Sequence, residues 1–423
     1  MLDALKNESP LNLLLVCVPA AFVLHAMEVG QTWVFAVSCA AIIPLAGLMG
    51  KSTEVIAHRV GPGIGGLLNA SFGNAAELII AVVALHKGLV EVVKASITGS
   101  ILGNVLLVLG ASFFAGGLRH ERQKFNATAA GMSATLLALA AIGLLVPAMF
   151  HAHLLLDQHL GNRSTVAALD VRSDRLQPVK GPAEAGHYEP AAATHPSGVA
   201  AVEKDLSLEI AIVLFSVYAL MLLFSLKTHK HLYNAGEAAG ASVRDDSEDT
   251  LPAQRIAGHR ADEHDGWPQW LALTVLITST VFVALMSELL VGAIEETSHQ
   301  LGWTQLFVGV VVVAIVGNAA EHSTAVFAAI KNDMELGFQI AIGSGLQIAL
   351  FVAPVLVFVS YLPGFPTTLD LVFSMLEVVA VAVSVMVVGL VAYDGRSNWM
   401  EGLLLLAVYL ILGIAFYHLP GTP

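Results

Sequence analysis

Gly73-Asn74-Ala75-Ala76-Glu77 recurs residue for residue as Gly317-Asn318-Ala319-Ala320-Glu321, 244 positions further along the chain. The register then holds without a gap. Ala81, Val82 and Ala84 match Ala325, Val326 and Ala328; Lys87 matches Lys331, Glu91 matches Glu335, and Gly99-Ser100 matches Gly343-Ser344. Apolar composition alone can align alanines and valines, but not Asn, Glu, Lys and Gly-Ser together. The chain is therefore an internal duplication, and in membrane transporters such repeats mark the binding site.

The surroundings of the repeat are those of a membrane protein. Of 423 residues, 56% are hydrophobic and only 13% charged, against about 25% charge in a soluble domain; the mean hydropathy is +0.74. Apolar runs approach or exceed the roughly 18 residues that cross a hydrocarbon core. They cover Leu11–Glu28, Gln31–Gly50, Gly63–His86, Leu89–Leu118, Ala127–Phe150, Leu206–Leu226, Trp270–Gly292, Thr304–Ile330, Met334–Leu362, Thr368–Ala392 and Trp399–His418. This predicts an all-α polytopic membrane protein of eleven transmembrane helices. The first helix, in residues 1–30, is extra; residues 31–226 and 267–423 form two five-helix repeats. An odd number of helices per copy inverts the second copy, so both GNAAE segments are expected to meet near mid-bilayer on a pseudo-twofold axis.

Two polar stretches interrupt the pattern. Residues 151–205 carry mixed charge, and residues 227–266 hold the acidic run Asp245, Asp246, Glu248 and Asp249; both read as loops. Lys51, Arg59, Arg119, Arg122, Lys124, Lys227, Lys230, Lys331 and Arg396 fall on one side of the bilayer, Lys87 and Lys94 on the other among the short connections. The positive-inside rule then puts the N-terminus and the acidic 227–266 segment in the cytoplasm, and the 151–205 insertion and the C-terminus outside. Richness in Ala, Val and Gly with short termini points to a bacterial plasma membrane.

An ionised Glu at membrane depth costs several kcal/mol unless it is paired. Glu77 and Glu321 have no basic neighbour within their own spans; Lys87 lies about 15 Å along the helix at 1.5 Å per residue. The missing countercharge is mobile. Two facing carboxylates with amide, hydroxyl and carbonyl oxygens suit a hard cation such as Ca2+, and emptied of metal they favour the protonated, neutral form. Asn74 and Asn318 each sit three residues before their Glu; Ser100 with Asn104, and Ser344 with Gln347, share helix faces in the following spans. Gly73, Gly317, Gly99 and Gly343 can loosen the helices there. The candidate cation and proton site is therefore Glu77, Glu321, Asn74, Asn318, Ser100, Ser344, Asn104 and Gln347, with Glu77 and Glu321 as the metal carboxylates.

With these residues in place, the chain resembles the calcium/proton antiporters of the CAX family, within the cation/calcium exchanger superfamily. The resemblance rests on the paired GNAAE segments, the GSILGN and GSGLQI segments after them, His322 directly behind the second Glu, and the acidic stretch between the halves, and it extends from about Gln31 to the C-terminus. It implies that Glu77 and Glu321 hold cation and protons in alternation, with Asn74, Asn318, Ser100 and Ser344 around them, in an eleven-span protein with a cytoplasmic acidic helix. The 151–205 insertion is not typical of the family. The expected function is secondary active export of Ca2+ in exchange for H+; the rivals are coupling to Na+ or K+, transport of Mn2+, or a cation channel.

Outside that set, Glu54 and Glu288 near span ends, His322, and Glu377 in the middle of Leu371–Leu390 are candidates for a proton pathway or gate. Each also has a plain reading: a solvated helix-end acid, a packing histidine, a structural hydrogen bond. His151, His153 and His159 match no zinc spacing. Cys17 and Cys39 lie in apolar runs and offer no disulfide framework. No HExxH, GxSxG, Walker A or dinucleotide fingerprint and no basic patch appears, so neither enzyme chemistry, a cofactor, ATP nor nucleic acid is expected. The expected partners are Ca2+, H+ and the lipid bilayer.

Overall fold

A computed structural model describes residues 10–60, 65, 68–69, 71–173, 196–228 and 267–419, and side chains of these apart from 10, 157–173 and 196–199. Its helices are α1 (Leu11–Ala26), α2 (Gln31–Val60), α3 (Ala75–His86), α4 (Val90–Gly117), α5 (Ala127–Ser173), α6 (Pro196–Leu223), α7 (Gln269–Leu301), α8 (Gln305–Ile330), α9 (Met334–Ser360), α10 (Met375–Val391) and α11 (Trp399–His418). Among the described residues, eight helices are long and apolar enough to cross a membrane; α1, α3 and α10 are shorter apolar helices. A two-stranded antiparallel sheet pairs β1 (Gln123–Lys124) with β2 (Arg396–Ser397).

The centre of the bundle is α4, whose most apolar stretch is 83% buried against 17% for α11 at the periphery. Small residues let α4 and α8 approach closely: a Cβ on Gly99 would run into the Val310 backbone, and one on Gly309 into Ala95. Such small-residue crossings are how membrane helices gain packing contacts without a hydrophobic drive between them. Elsewhere α2 packs along α7, α10 on α5, α6 against α9, and α11 on α4.

The two copies share one backbone irregularity. α4 widens into a π-type turn at Gly103–Val108, and α9 does so at Ile348–Val352, the same place after an offset of 244. Wide turns of this kind concentrate at functional sites. The copies differ at the motif itself. The expected continuous span Gly63–His86 is broken by a turn at Gly73-Asn74, from which α3 starts, whereas α8 runs unbroken through Gly317. Gly73 keeps a hydrogen bond from its N–H to the Asn69 carbonyl at 2.8 Å. A Cβ there would sit 2.8 Å from that same oxygen, so any side chain would force the turn to shift.

Two further expectations change. The insertion 151–205 is not wholly loop, because α5 continues to Ser173 and α6 starts at Pro196. The apolar run Thr368–Ala392 is not one helix: residues 361–374 are non-helical, and α10 begins only at Met375. The acidic run Asp245–Asp249 lies outside the described residues.

Candidate cation site

Asn74 and Glu77 enter from the start of α3, Ser100 and Asn104 from α4, Asn318 and Glu321 from α8, and Ser344 and Gln347 from α9. The structure brings all eight together. Asn104 Nδ2 donates to Asn318 Oδ1 and to Ser344 Oγ, both at 2.9 Å. Asn318 Nδ2 donates to Ser100 Oγ at 3.0 Å and to the Ala314 carbonyl at 2.9 Å. Asn74 Nδ2 donates to Gln347 Oε1. The Ser344 hydroxyl lies 3.2 Å from Asn74 Oδ1 and 3.4 Å from Asn318 Oδ1, and it also reaches the Glu321 carboxylate. Having one proton to give, it can serve one of these acceptors at a time.

This network has a polarity. Asn104 and Asn318 spend both of their amide hydrogens inside it. Acceptors are left over: Glu77 Oε2, Glu321 Oε2 and Asn104 Oδ1 are buried with no hydrogen-bond partner. Buried polar atoms in native proteins are almost always satisfied, and an uncompensated cluster of oxygens is satisfied by a cation or by protons. The two carboxylates lie within electrostatic reach of each other. Among the described residues no group of three or more His, Cys, Asp or Glu is placed to hold a metal; the acidic groups gathered here are two carboxylates, set among amide and hydroxyl groups.

Each motif glycine seats the carboxylate of the other copy. A Cβ on Gly317 would stand 3.1 Å from Glu77 Cγ and 3.4 Å from its Oε1; one on Gly73 would stand 3.6 Å from Glu321 Oε1. Residue i of one half touching j of the other, and the reverse, is the contact pattern of a two-fold arrangement.

A cavity of about 550 Å³ reaches the site from the Gly73 end of α3. Its wall includes Pro44, Lys51, Glu54, Asn69, Gly73 and Glu321, but not Glu77. Pro44, inside α2, lacks a backbone N–H and so relaxes the helix where it borders the cavity. Glu54 thus shares a cavity with Glu321. Glu288 does not. It lies at the far end of α3, in an ion pair with Lys87 at 2.8 Å, its side chain 58% exposed. Glu54 and Glu288 therefore do not line one path.

His322 is half-buried beside Glu321, its Nε2 without a partner. Glu377 is not in mid-helix but in the first turn of α10. Its Oε2 accepts from the Ser374 N–H at 2.9 Å, its own N–H donates to Ser374 Oγ at 3.3 Å, and Thr98 Oγ1 donates to its Oε1 at 3.0 Å. This is a capping box, a structural use of the carboxylate. His151 pairs with Glu203 at 2.6 Å, tying α5 to α6. Sequence reasoning missed Asn69, Asn12 and Thr324 in the cavity wall. Only Asn69 carried a signal, one helical turn before Gly73.

The sequence pattern of the sodium/calcium exchanger protein family matches residues 30–227 and 271–417. A Ca(2+)/H(+) antiporter from Synechocystis sp. is 42% identical over 98% of both chains, and the Ca(2+)/H(+) antiporter ChaA of Bacillus subtilis is 39% identical over 95% of this chain and 97% of that one. Among solved structures, native YfkE is 35% identical with a TM-score of 0.70, covering 97% of this chain and all of that one. The H+/Ca2+ exchanger CAX, at 12% identity, shares the fold with a TM-score of 0.60 over 96% of this chain and 91% of that one.

Proposed function

The chain belongs to the sodium/calcium exchanger protein family, and we propose that it is a secondary active antiporter that exports Ca2+ from the cytoplasm in exchange for H+. The observation that carries this reading is the pair of carboxylates Glu77 and Glu321, one from each copy, each with a buried oxygen that has no hydrogen-bond partner. Relatives at 39–42% identity named as Ca(2+)/H(+) antiporters supply the ion pair.

In this reading two carboxylates fix the coupling. Holding one Ca2+ or two protons, the site is close to neutral and crosses the low-dielectric interior; empty, it carries two charges and does not. Asn74, Asn318, Ser100, Ser344, Asn104 and Gln347 present oxygens and hold the carboxylates in register. The cavity past Glu54 gives access from the cytoplasmic end, and Lys87–Glu288 marks the closed end. Alternating access exchanges these roles between two inverted five-helix repeats in an eleven-span bundle, α1 being extra. The recurrence at offset 244 of the motif and of the wide turn, with the reciprocal glycine–glutamate contacts, supports that symmetry.

Purified protein in liposomes holding a pH dye tests the proposal. Added Ca2+ should dissipate an imposed proton gradient, with no change when Na+ or K+ is replaced by choline. Ca2+ flux without proton movement, or flux requiring Na+ or K+, would overturn it.

A further inference from the structure

The segments joining α4 to α5 and α9 to α10 occupy equivalent positions in the two copies, and each clasps the other copy. Residues 118–126 lie over the end of α8 and the start of α9. Gln123 Nε2 donates to the Ala329 carbonyl at 2.8 Å, the Asn126 N–H donates to Glu335 Oε2 at 2.5 Å, and Phe125 stacks on Phe338 with ring centroids 4.5 Å apart. Residues 361–374 lie over the end of α3 and the start of α4. Phe365 meets His86 edge-on at 5.8 Å, Pro366 faces Gly88, and Lys94 Nζ donates to Asp370 Oδ1 at 2.6 Å and to the Val372 carbonyl at 2.8 Å.

At the 244-residue offset Asn126 corresponds to Asp370 and Phe338 to Lys94. Phe338 stacks on Phe125, whereas its counterpart Lys94 pairs with Asp370, one residue past Leu369, the counterpart of Phe125. The ion pair is built for its place. Lys94 is 7% exposed, and Asp370 Oδ1 is held ready by the Val372 N–H at 2.9 Å. The clasp is anchored behind by the Leu371 N–H donating to Ser207 Oγ at 2.9 Å. One turn along α4 from Lys94, Thr98 meets Glu377, and Ser100 and Asn104 of the cation site follow on the same helix.

We propose that Lys94 and Asp370 are positioning residues that latch the end of the transporter opposite the cavity, and that parting this pair opens the site to that side. The proposal rests on the exchange reading above. The cavity ends at Glu321 and Gly73, at the start of α3, while the clasp covers the other end of α3. The clasp opposite the cavity is closed by an ion pair, the one at the cavity end by an aromatic stack and hydrogen bonds, so the two access states are unequal in a way that a single charge can alter.

Asp370→Asn and Lys94→Met, with Asp370→Glu as the conservative control, test this in sided membrane vesicles and by hydrogen exchange on the full-length protein. The neutral variants should raise half-saturating Ca2+ at the cavity face at least fivefold and lower it at the opposite face, because the cavity-open population falls. Amide exchange in 361–374 should rise at least tenfold while that in 118–126 stays within twofold, and Asp370→Glu should stay within twofold of the parent throughout. Equal shifts at both faces, or unchanged exchange in 361–374, would overturn the latch. A parent protein that moves no Ca2+ against H+ would instead overturn the exchange reading, with the amide data still deciding whether the pair holds the clasp.

Discussion

Gly317 is the residue where one methyl group would be felt most clearly. The added Cβ would sit 3.1 Å from Glu77 Cγ, so the carboxylate must shift by a few tenths of an ångström. Alanine also gains about 1 kcal/mol of helix propensity over glycine in the unbroken α8. The two effects separate. Gly317→Ala should keep or raise the melting temperature while raising half-saturating Ca2+ about tenfold, equivalent to about 1.4 kcal/mol; calorimetry and a Ca2+ titration check both. Gly73→Ala should differ, since its Cβ meets the Asn69 backbone carbonyl rather than a movable side chain. That substitution should lower the melting temperature as well.

Identical motifs take different backbones at the scale of the helix. Gly317 follows Val312, Val313, Ala314, Ile315 and Val316, a continuous apolar run, and α8 passes through it. Gly73 follows Leu68, Asn69, Ala70, Ser71 and Phe72, where polar residues break the run, and α3 starts anew. The residues that gather around Glu77 and Glu321 were legible because a repeated Asn or Glu in an apolar context is conspicuous. The start of α10 was not, because Leu369, Leu371, Val372 and Phe373 look helical locally, but the segment is held out of the helix at Asp370, Leu371 and Val372 by partners more than 150 residues away, Lys94 and Ser207. Glu377 moved with that boundary, from mid-span to a cap. Glu377→Gln keeps an N3 side chain able to cap and should leave Ca2+/H+ exchange within threefold of the parent, whereas a proton relay would be abolished. Ser374→Ala should cost about 1 kcal/mol of stability, the usual loss for a missing cap, seen as a lowered melting temperature.

Viewed across the whole molecule, the cavity among the described residues approaches the carboxylates from the Gly73 end of α3. The cavity wall includes Thr324 and Glu321, and Glu77 is shut behind them. With Cys17 and Cys39 replaced by alanine, Thr324→Cys should react with a membrane-impermeant thiol reagent from the cytoplasmic face, and reaction from the opposite face should be at least tenfold slower. Composition was enough to give the helical membrane bundle. Which end stands open was not legible, because it depends on contacts such as Lys87–Glu288 and Lys94–Asp370 that join distant parts of the chain. The central claim is that one carboxylate from each copy forms a single exchange site. Its most direct test is Ca2+-driven proton movement in liposomes reconstituted with Glu77→Gln or Glu321→Gln, each shown to be folded by an unchanged melting profile. Each variant alone should reduce exchange at least a hundredfold; exchange within threefold of the parent in either one would contradict the account.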